Sequence, residues 1–146
     1  EKYKNGNLIF FESNTLQNDK KKFVNLFLEN KTNKFQIKGS SYSGEADIGC
    51  IIGNWWNSKI LESDKQISPL SGTIKEQVVT FLGTENLIIN NTTYTTEHFT
   101  LMSKNNNMPE DKKLNFEIWY NKKNNLIMKV SYSRMGNWEY VLKKFE

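Results

Sequence analysis

The stretch LNFEIWYNKKNNLIMKVSYSRMGNWEYVLKKF, residues 114–145, decides the fold of this chain. Polar turns at Asn121–Asn125 and Arg134–Asn137 divide it into three runs in which apolar and polar residues alternate. Because successive side chains of a strand point to opposite faces, this period of two predicts three half-buried strands. One face of them carries Phe116, Ile118, Tyr120, Met128, Val130, Tyr132, Trp138, Tyr140 and Leu142.

The rest of the chain predicts more strands joined by short turns rich in Asn, Asp and Gly. The strand-like runs are Leu8–Leu16, Phe23–Leu28, Phe35–Ser40, Thr73–Leu82, Leu87–Ile89 and Thr93–Met102, with turns at Asn18–Lys20, Asn30–Lys34, Gly83–Asn86 and Asn90–Asn91. The glycine-interrupted stretch Tyr42–Asn57 predicts a long connection, and Asn54 or Asn57 is placed to cap a short helix including Ser58–Leu61. We expect an all-β antiparallel up-and-down meander that curls into a half-barrel or barrel, with a short helix or loop lid at about residues 54–61.

Length and composition indicate one β domain covering residues 1–146. The 146 residues are 37% hydrophobic and 13% aromatic, which is enough to form a core and argues against disorder. Apolar runs such as Leu8–Phe11 are far shorter than the roughly 20 residues of a membrane-spanning helix. We therefore expect no membrane-spanning segment.

The net charge of +4 comes from lysines that fall mostly where turns are predicted. Lysines in turns and on sheet edges keep those edges solvated and block unwanted strand addition. No motif combines a basic stripe with interleaved aromatic residues, so we expect no nucleic-acid partner.

Residues for catalysis or metal binding are few. Cys50 is the only cysteine and His98 the only histidine, so an intrachain disulfide is impossible and no recognised ligand spacing exists for a metal. A Cys50–His98 nucleophilic dyad is conceivable, but Cys50 stands in an apolar run where a buried structural role is commoner. The pairs Glu45/Asp47 and Glu62/Asp64 fall in loop-like sequence and are expected to be solvated acids. With no phosphate-binding or dinucleotide motif, the sequence predicts no cofactor, no metal and no catalytic residue, and an enzyme is the less favoured class.

Two adjacent tryptophans, Trp55 and Trp56, are the most unusual local feature. Neighbouring indoles in a connection cannot both point the same way, so one is expected to fill the core and the other to cover something. They either plug an end of the sheet or form a lid over an apolar cavity whose walls include Trp119 and Trp138. The candidate ligand-binding residues are Trp55, Trp56, Asn57, Trp119, Tyr132, Trp138 and Tyr140.

The segments Asn54–Asn57, Ile60–Ser63 and Ser71-Gly72 resemble the Tyr-Trp-Asn and Leu-Asp-Thr-x-Thr-Gly segments of an uncharacterised bacterial family, a domain of unknown function. The ending from Asn115 to Leu142 is similar to that family's Leu-Trp-Tyr strand and final hairpin. Trp55 stands for the family's usual Tyr, and Glu62-Ser63 for its Asp-Thr. The resemblance implies a secreted or periplasmic protein and a half-barrel of the lipid-carrier kind, with the family's N-terminal strands absent here. It supplies no catalytic residues.

These observations lead to two hypotheses of different classes. The first is a non-enzymatic periplasmic or secreted domain that binds a hydrophobic or lipid-like ligand on the concave face of its sheet. The alternative is an accessory subunit that docks its open sheet edge or aromatic patch on a larger membrane-associated assembly.

Overall fold

The computed structural model describes residues 1–133 and 136–144, which have the predicted all-β fold. The strands of these residues are β1 Lys2–Lys4, β2 Asn7–Gln17, β3 Lys20–Glu29, β4 Lys34–Gly39, β5 Ser43–Asp47, β6 Ile51–Ile52, β7 Lys65–Ile67, β8 Ile74–Ile89, β9 Thr92–Ser103, β10 Asn115–Asn121, β11 Leu126–Ser133 and β12 Asn137–Val141. Short 3-10 helices lie at Ser58–Leu61 and Glu110–Lys112. The prediction of an antiparallel meander curling into a half-barrel, with a helical turn near residues 54–61, is confirmed.

The chain divides into two compact units, the first comprising residues 1–53 and 65–75. Strands β1 to β5 form an antiparallel sheet in chain order, and β6 and β7 form a parallel pair. The buried core of this unit consists of Phe11, Val24, Leu26, Phe35, Ile37, Ala46, Cys50, Ile52 and Ile67. Strands β2, β3 and β4 supply most of it because their apolar residues alternate with polar ones.

The second unit comprises residues 54–64 and 76–146 and contains most of β8 together with β9 to β12. Its strands follow one another in the sheet as they do in the chain, each antiparallel to the next. Strand β12 lies at the edge. The three strands predicted in the last third of the chain are therefore present, as β10, β11 and β12 of this meander.

Asparagine supplies most of the tight turns. Asn90 and Asn91 connect β8 to β9 with φ angles of 49° and 63°, a left-handed conformation that Asn tolerates better than other residues with a Cβ. Asn18 and Asp19, between β2 and β3, have φ angles of 48° and 60°. The predicted hairpins at these two places are confirmed.

Two local predictions were wrong. The stretch Tyr42–Asn57 is not only a connection, because it contains β5 and β6. The residues Gly83–Asn86 do not form a turn, since β8 continues through them and its register shifts between Phe81 and Gly83. A glycine inside a strand can mark a β-bulge as well as a turn, and Gly83, with a φ of 150°, marks a bulge.

The last strand, predicted to cover Trp138–Phe145, ends at Val141 in the described residues. Phe145 and part of the predicted turn Arg134–Asn137 lie outside the described residues. The single domain predicted for residues 1–146 stays a prediction. Within the described part of the chain, no helix has the length and apolar character needed to cross a membrane.

Candidate functional site

Two rows of apolar side chains cross one face of the second unit's sheet. Cross-strand pairing aligns the first row as Phe81, Phe99, Ile118, Val130 and Tyr140, and the second as Val79, Leu101, Phe116, Tyr132 and Trp138. In the first row the middle is buried and the ends are open: Ile118 is 0% exposed and Val130 1%, whereas Phe81 is 55% and Tyr140 61%. In the second row Leu101 is 0% exposed and Trp138 60%. The predicted continuous apolar face therefore exists, and its centre is already filled by protein.

The segment Asn54–Asp64, which we call the strap, belongs to the same unit. Trp55 contacts Phe116 edge to face, with ring centroids 4.7 Å apart. The Nε2 atom of buried Gln77 donates to the carbonyl oxygens of Ile60 and Ser63, at 2.9 and 2.8 Å. Since backbone carbonyls of an irregular segment need partners when they are buried, Gln77 holds the strap against the start of β8.

The other end of the strap is held by side chains near the β10–β11 turn. Ser58 Oγ donates to Asn125 Oδ1 at 2.8 Å, and Tyr120 donates its hydroxyl to the same oxygen at 2.7 Å. Asn57 accepts a hydrogen bond from the Lys59 backbone N–H and caps the 3-10 helix. Asn57, one of the predicted ligand-binding residues, therefore has a structural contact that shapes the strap.

An apolar hollow of about 360 Å³ lies beside the strap, at the β11–β12 side of the sheet. Its lining residues are Trp55, Trp56, Leu126, Ile127, Met128, Lys129, Val130, Tyr140, Val141 and Leu142. Trp56 is 58% exposed, so its indole is available at the surface of the hollow, whereas Trp55 is half-buried. The two adjacent indoles therefore point in different directions: Trp55 packs inward and Trp56 faces solvent.

The structure brings three of the predicted ligand-binding residues to this hollow: Trp55, Trp56 and Tyr140. Tyr132 lies on the same face in the other row and stacks on Phe116 at 4.5 Å between centroids. Trp138 pairs with Tyr132 and is 60% exposed. Neither residue lines the hollow.

Trp119 lies on the opposite face of the sheet, since it alternates with Ile118 along β10. Its ring stacks on His98 with centroids 4.3 Å apart, and Lys129 Nζ lies over the ring, 4.6 Å from its centroid. The indole N–H donates to Glu85. Trp119 is thus buried in a polar network and is not a wall of the hollow.

His98 belongs to the same network. Its Nε2 lies 2.9 Å from Glu117 Oε2, and its Nδ1 lies 3.7 Å from Glu85 Oε1. Lys129 Nζ is 2.7 Å from Glu139 Oε1. These polar side chains contact one another across neighbouring strands, an arrangement that stabilises an antiparallel sheet.

The residues considered for catalysis are distributed over both units. Cys50 is a buried core residue of the first unit and His98 belongs to the second. Glu45 accepts hydrogen bonds from Gln36 and Lys34, and these bonds, with the charge of Lys34, lower the pKa of its carboxyl group. Among the residues that the structure describes, no three His, Cys, Asp or Glu side chains form a group able to hold a metal ion.

Sequence reasoning assigned Met128, Val130 and Leu142 to the apolar face but did not name them as ligand-binding residues. In all it missed seven residues of the hollow: Leu126, Ile127, Met128, Lys129, Val130, Val141 and Leu142. The placement of Ile127 and Met128 depends on a register shift between Trp119 and Tyr120, opposite Ile127–Lys129. The shift buries the consecutive residues Ile127 and Met128, at 7% and 2% exposure, which strict alternation does not allow. The apolar pair Leu126-Ile127 interrupting the alternation was the signal for it.

Fold and site define a class: a β-meander protein with a strapped apolar face and a surface hollow, whose described residues form no metal-binding group. The chain matches the family described as Domain of unknown function (DUF6134) over residues 1–143, and it belongs to that family. The resemblance to a family of unknown function is thereby confirmed. No curated protein and no solved structure matches the chain.

Proposed function

We propose that this domain is a non-enzymatic binding protein that holds a small hydrophobic or lipid-like molecule in the hollow beside the strap. The observation that carries the proposal is the lining of the hollow. Among the residues that the structure describes there, Lys129 is the one ionisable side chain apart from the Tyr140 hydroxyl. Ligand sites are typically concave and mostly apolar, with few polar groups. The ligand lies at the margin of the apolar face, because Ile118 and Val130 already fill its centre.

The size of the hollow limits the ligand to one chain or a few rings. Its volume of about 360 Å³ stands near the lower end of the roughly 300–1,000 Å³ found for small-molecule sites. Each buried methylene contributes about 0.8 kcal/mol, so affinity should rise with chain length and level off once the hollow is full. A series of saturated fatty acids of increasing length would display that plateau.

Filling the hollow should weaken binding strongly. Val141 lines it and is 42% exposed, so Val141→Trp adds an indole there without disturbing the core. We expect the affinity for a dansyl-labelled fatty acid, measured by fluorescence titration, to fall roughly tenfold or more.

The matched control is Val78→Trp, the same change on β8 at a position that is 47% exposed and does not line the hollow. It should bind the probe as the unaltered protein does. Equal affinity of the two variants, or no binding of any apolar probe by the unaltered protein, would remove the proposal.

The second candidate function is an accessory subunit that receives a partner strand. It is favoured by β12, an edge strand in which all five residues are exposed and Glu139 is the only charged one. Such an edge offers unpaired backbone groups with little protection against strand addition. Light scattering on the purified chain would show a self-associating edge, and a monodisperse monomer up to high concentration would argue against it.

A periplasmic or secreted location is part of the proposal. It is supported by the resemblance in the Trp55-Trp56 and closing segments. Fractionation of the native cells with an antibody against the domain tests it, and recovery with a cytoplasmic marker enzyme would contradict it.

A further inference from the structure

Lysines gather at one end of the second unit's sheet. The β8–β9 hairpin tip, the β10–β11 turn, the start of the strap and the segment after β12 meet there. Asn90 Nδ2 in the tip donates to the Lys143 carbonyl oxygen at 3.1 Å, and Ser58 in the strap donates to Asn125 in the turn. The exposed lysines on these elements are Lys59, Lys122, Lys123, Lys143 and Lys144, and we call this region the lysine end.

The nearby carboxylates leave the lysine end basic. Glu97 Oε1 lies 4.0 Å from Lys122 Nζ, and Glu139 forms its ion pair with Lys129. Glu62 is exposed on the strap beyond the 3-10 helix. Among the described residues of the lysine end, positive charge therefore exceeds negative charge.

Large apolar side chains are exposed beside these lysines. Ile88, next to the hairpin tip, is 70% exposed; Trp56 on the strap is 58% exposed; and Tyr140 and Val141 on β12 are 61% and 42% exposed. Aromatic side chains with lysines around them are typical of protein surfaces that sit at the boundary between lipid headgroups and acyl chains.

We propose that the lysine end docks on the surface of an anionic lipid bilayer, with Trp56, Tyr140 and Ile88 entering the headgroup layer. Charge complementarity favours an anionic bilayer as the partner, because lysines near an anionic leaflet are attracted to it over about a Debye length. A nucleic acid is the poorer partner, since exposed Ile88 and Val141 have no counterpart on a phosphate backbone. This inference goes beyond ligand binding and does not need it.

Each lysine near an anionic leaflet strengthens binding by about fivefold. Replacing two of them by glutamate removes two attractions and adds repulsion, so the loss should be roughly 25-fold or more. We choose Lys123 and Lys143, which lie on two different elements of the lysine end.

The test is co-sedimentation of the full chain with vesicles. The unaltered protein should bind vesicles containing about one third phosphatidylglycerol, release at high salt, and bind pure phosphatidylcholine at least tenfold more weakly. The variant Lys123→Glu/Lys143→Glu should lose anionic-vesicle binding. The control Lys20→Glu/Lys21→Glu makes the same charge change at exposed positions of the β2–β3 hairpin and should keep it.

Three outcomes would overturn the proposal: no vesicle binding, equal loss in both charge variants, or a duplex DNA that binds more tightly than the vesicles through the same lysines. Loss of docking is also distinguishable from loss of ligand binding. Val141→Trp should bind the dansyl-labelled fatty acid much more weakly although the charge of its lysine end is intact. Lys123→Glu/Lys143→Glu should still bind that probe in solution.

Discussion

At the scale of single residues, Gly39 at the end of β4 shows how closely two backbone segments approach in the first unit. A Cβ on Gly39 would lie 2.9 Å from the Ser71 carbonyl carbon and 3.0 Å from Gly72 Cα. Backbone atoms cannot move aside as the tip of a flexible side chain can. Only glycine fits at this position, because any Cβ would collide with the neighbouring backbone.

Replacing Gly39 by alanine should destabilise the protein by about 2 kcal/mol, because the new methyl group is forced against backbone. Urea denaturation measures the difference. The matched change Gly49→Ala meets nothing within 4 Å and should change stability by less than about 0.5 kcal/mol. Similar losses in the two variants would show that the close approach is not the cause.

Glu45 gives a pH dependence with a definite sign. Hydrogen bonds from Gln36 and Lys34 and the charge of Lys34 lower the pKa of Glu45 from its ordinary value of 4.5. A carboxyl whose folded pKa is lowered stabilises the fold fully above its unfolded pKa, and that contribution is lost as the pH falls through the folded pKa. Glu45→Gln should therefore be less stable than the unaltered protein near neutral pH and approach it in acid.

Urea denaturation of both proteins at about pH 6 and about pH 3 measures this difference. Lys34→Met, which removes the partner of the same ion pair, should show the same trend. A stability difference that stays constant across this range would contradict the role of the ionised carboxylate.

At the scale of elements, the strap depends on one glutamine. Gln77 is 3% exposed and donates to two strap carbonyls, so Gln77→Leu leaves both without that donor. We expect a loss of about 2–3 kcal/mol in the free energy of unfolding, because unsatisfied buried polar groups are costly. Limited proteolysis should also cut within residues 54–64 sooner.

Gln17→Leu, at an exposed position near the end of β2, is the control and should have little effect on either measurement. If Gln77→Leu left stability and the cleavage pattern unchanged, the strap would be held by something other than these hydrogen bonds.

The elements also show where sequence reasoning succeeds. Alternation predicts that Phe116 and Ile118 share a face with Val130 and Tyr132, and the observed register agrees. It fails at Tyr120, which pairs with Ile127 beyond a register shift. The same alternation assigns Trp119 to the other face. The prediction that Trp119 is a wall of the cavity overlooked this assignment. The burial of both Ile127 and Met128 could not be predicted, because it depends on a register shift that only cross-strand pairing reveals.

At the scale of the whole molecule, composition and turn spacing predict the fold class because an all-β meander depends on local patterns. The hollow does not follow from local patterns, since its lining joins Trp55 and Trp56 of the strap to residues 126–130 and 140–142, which are far from them in sequence. The Trp55-Trp56 pair in the sequence indicates that an apolar site exists, but not where on the sheet it lies. Membership of a family of unknown function leaves the activity to be argued from the site, because a fold alone does not define an activity.

The central claim is that the hollow beside Trp55 and Trp56 accepts an apolar molecule, and native mass spectrometry of gently purified protein tests it most directly. The account predicts a population carrying one small extractable lipid-like molecule, or one added fatty acid per chain, and its loss in Val141→Trp but not in Val78→Trp. A spectrum with the bare protein mass alone, before and after addition of fatty acids of several lengths, would contradict it.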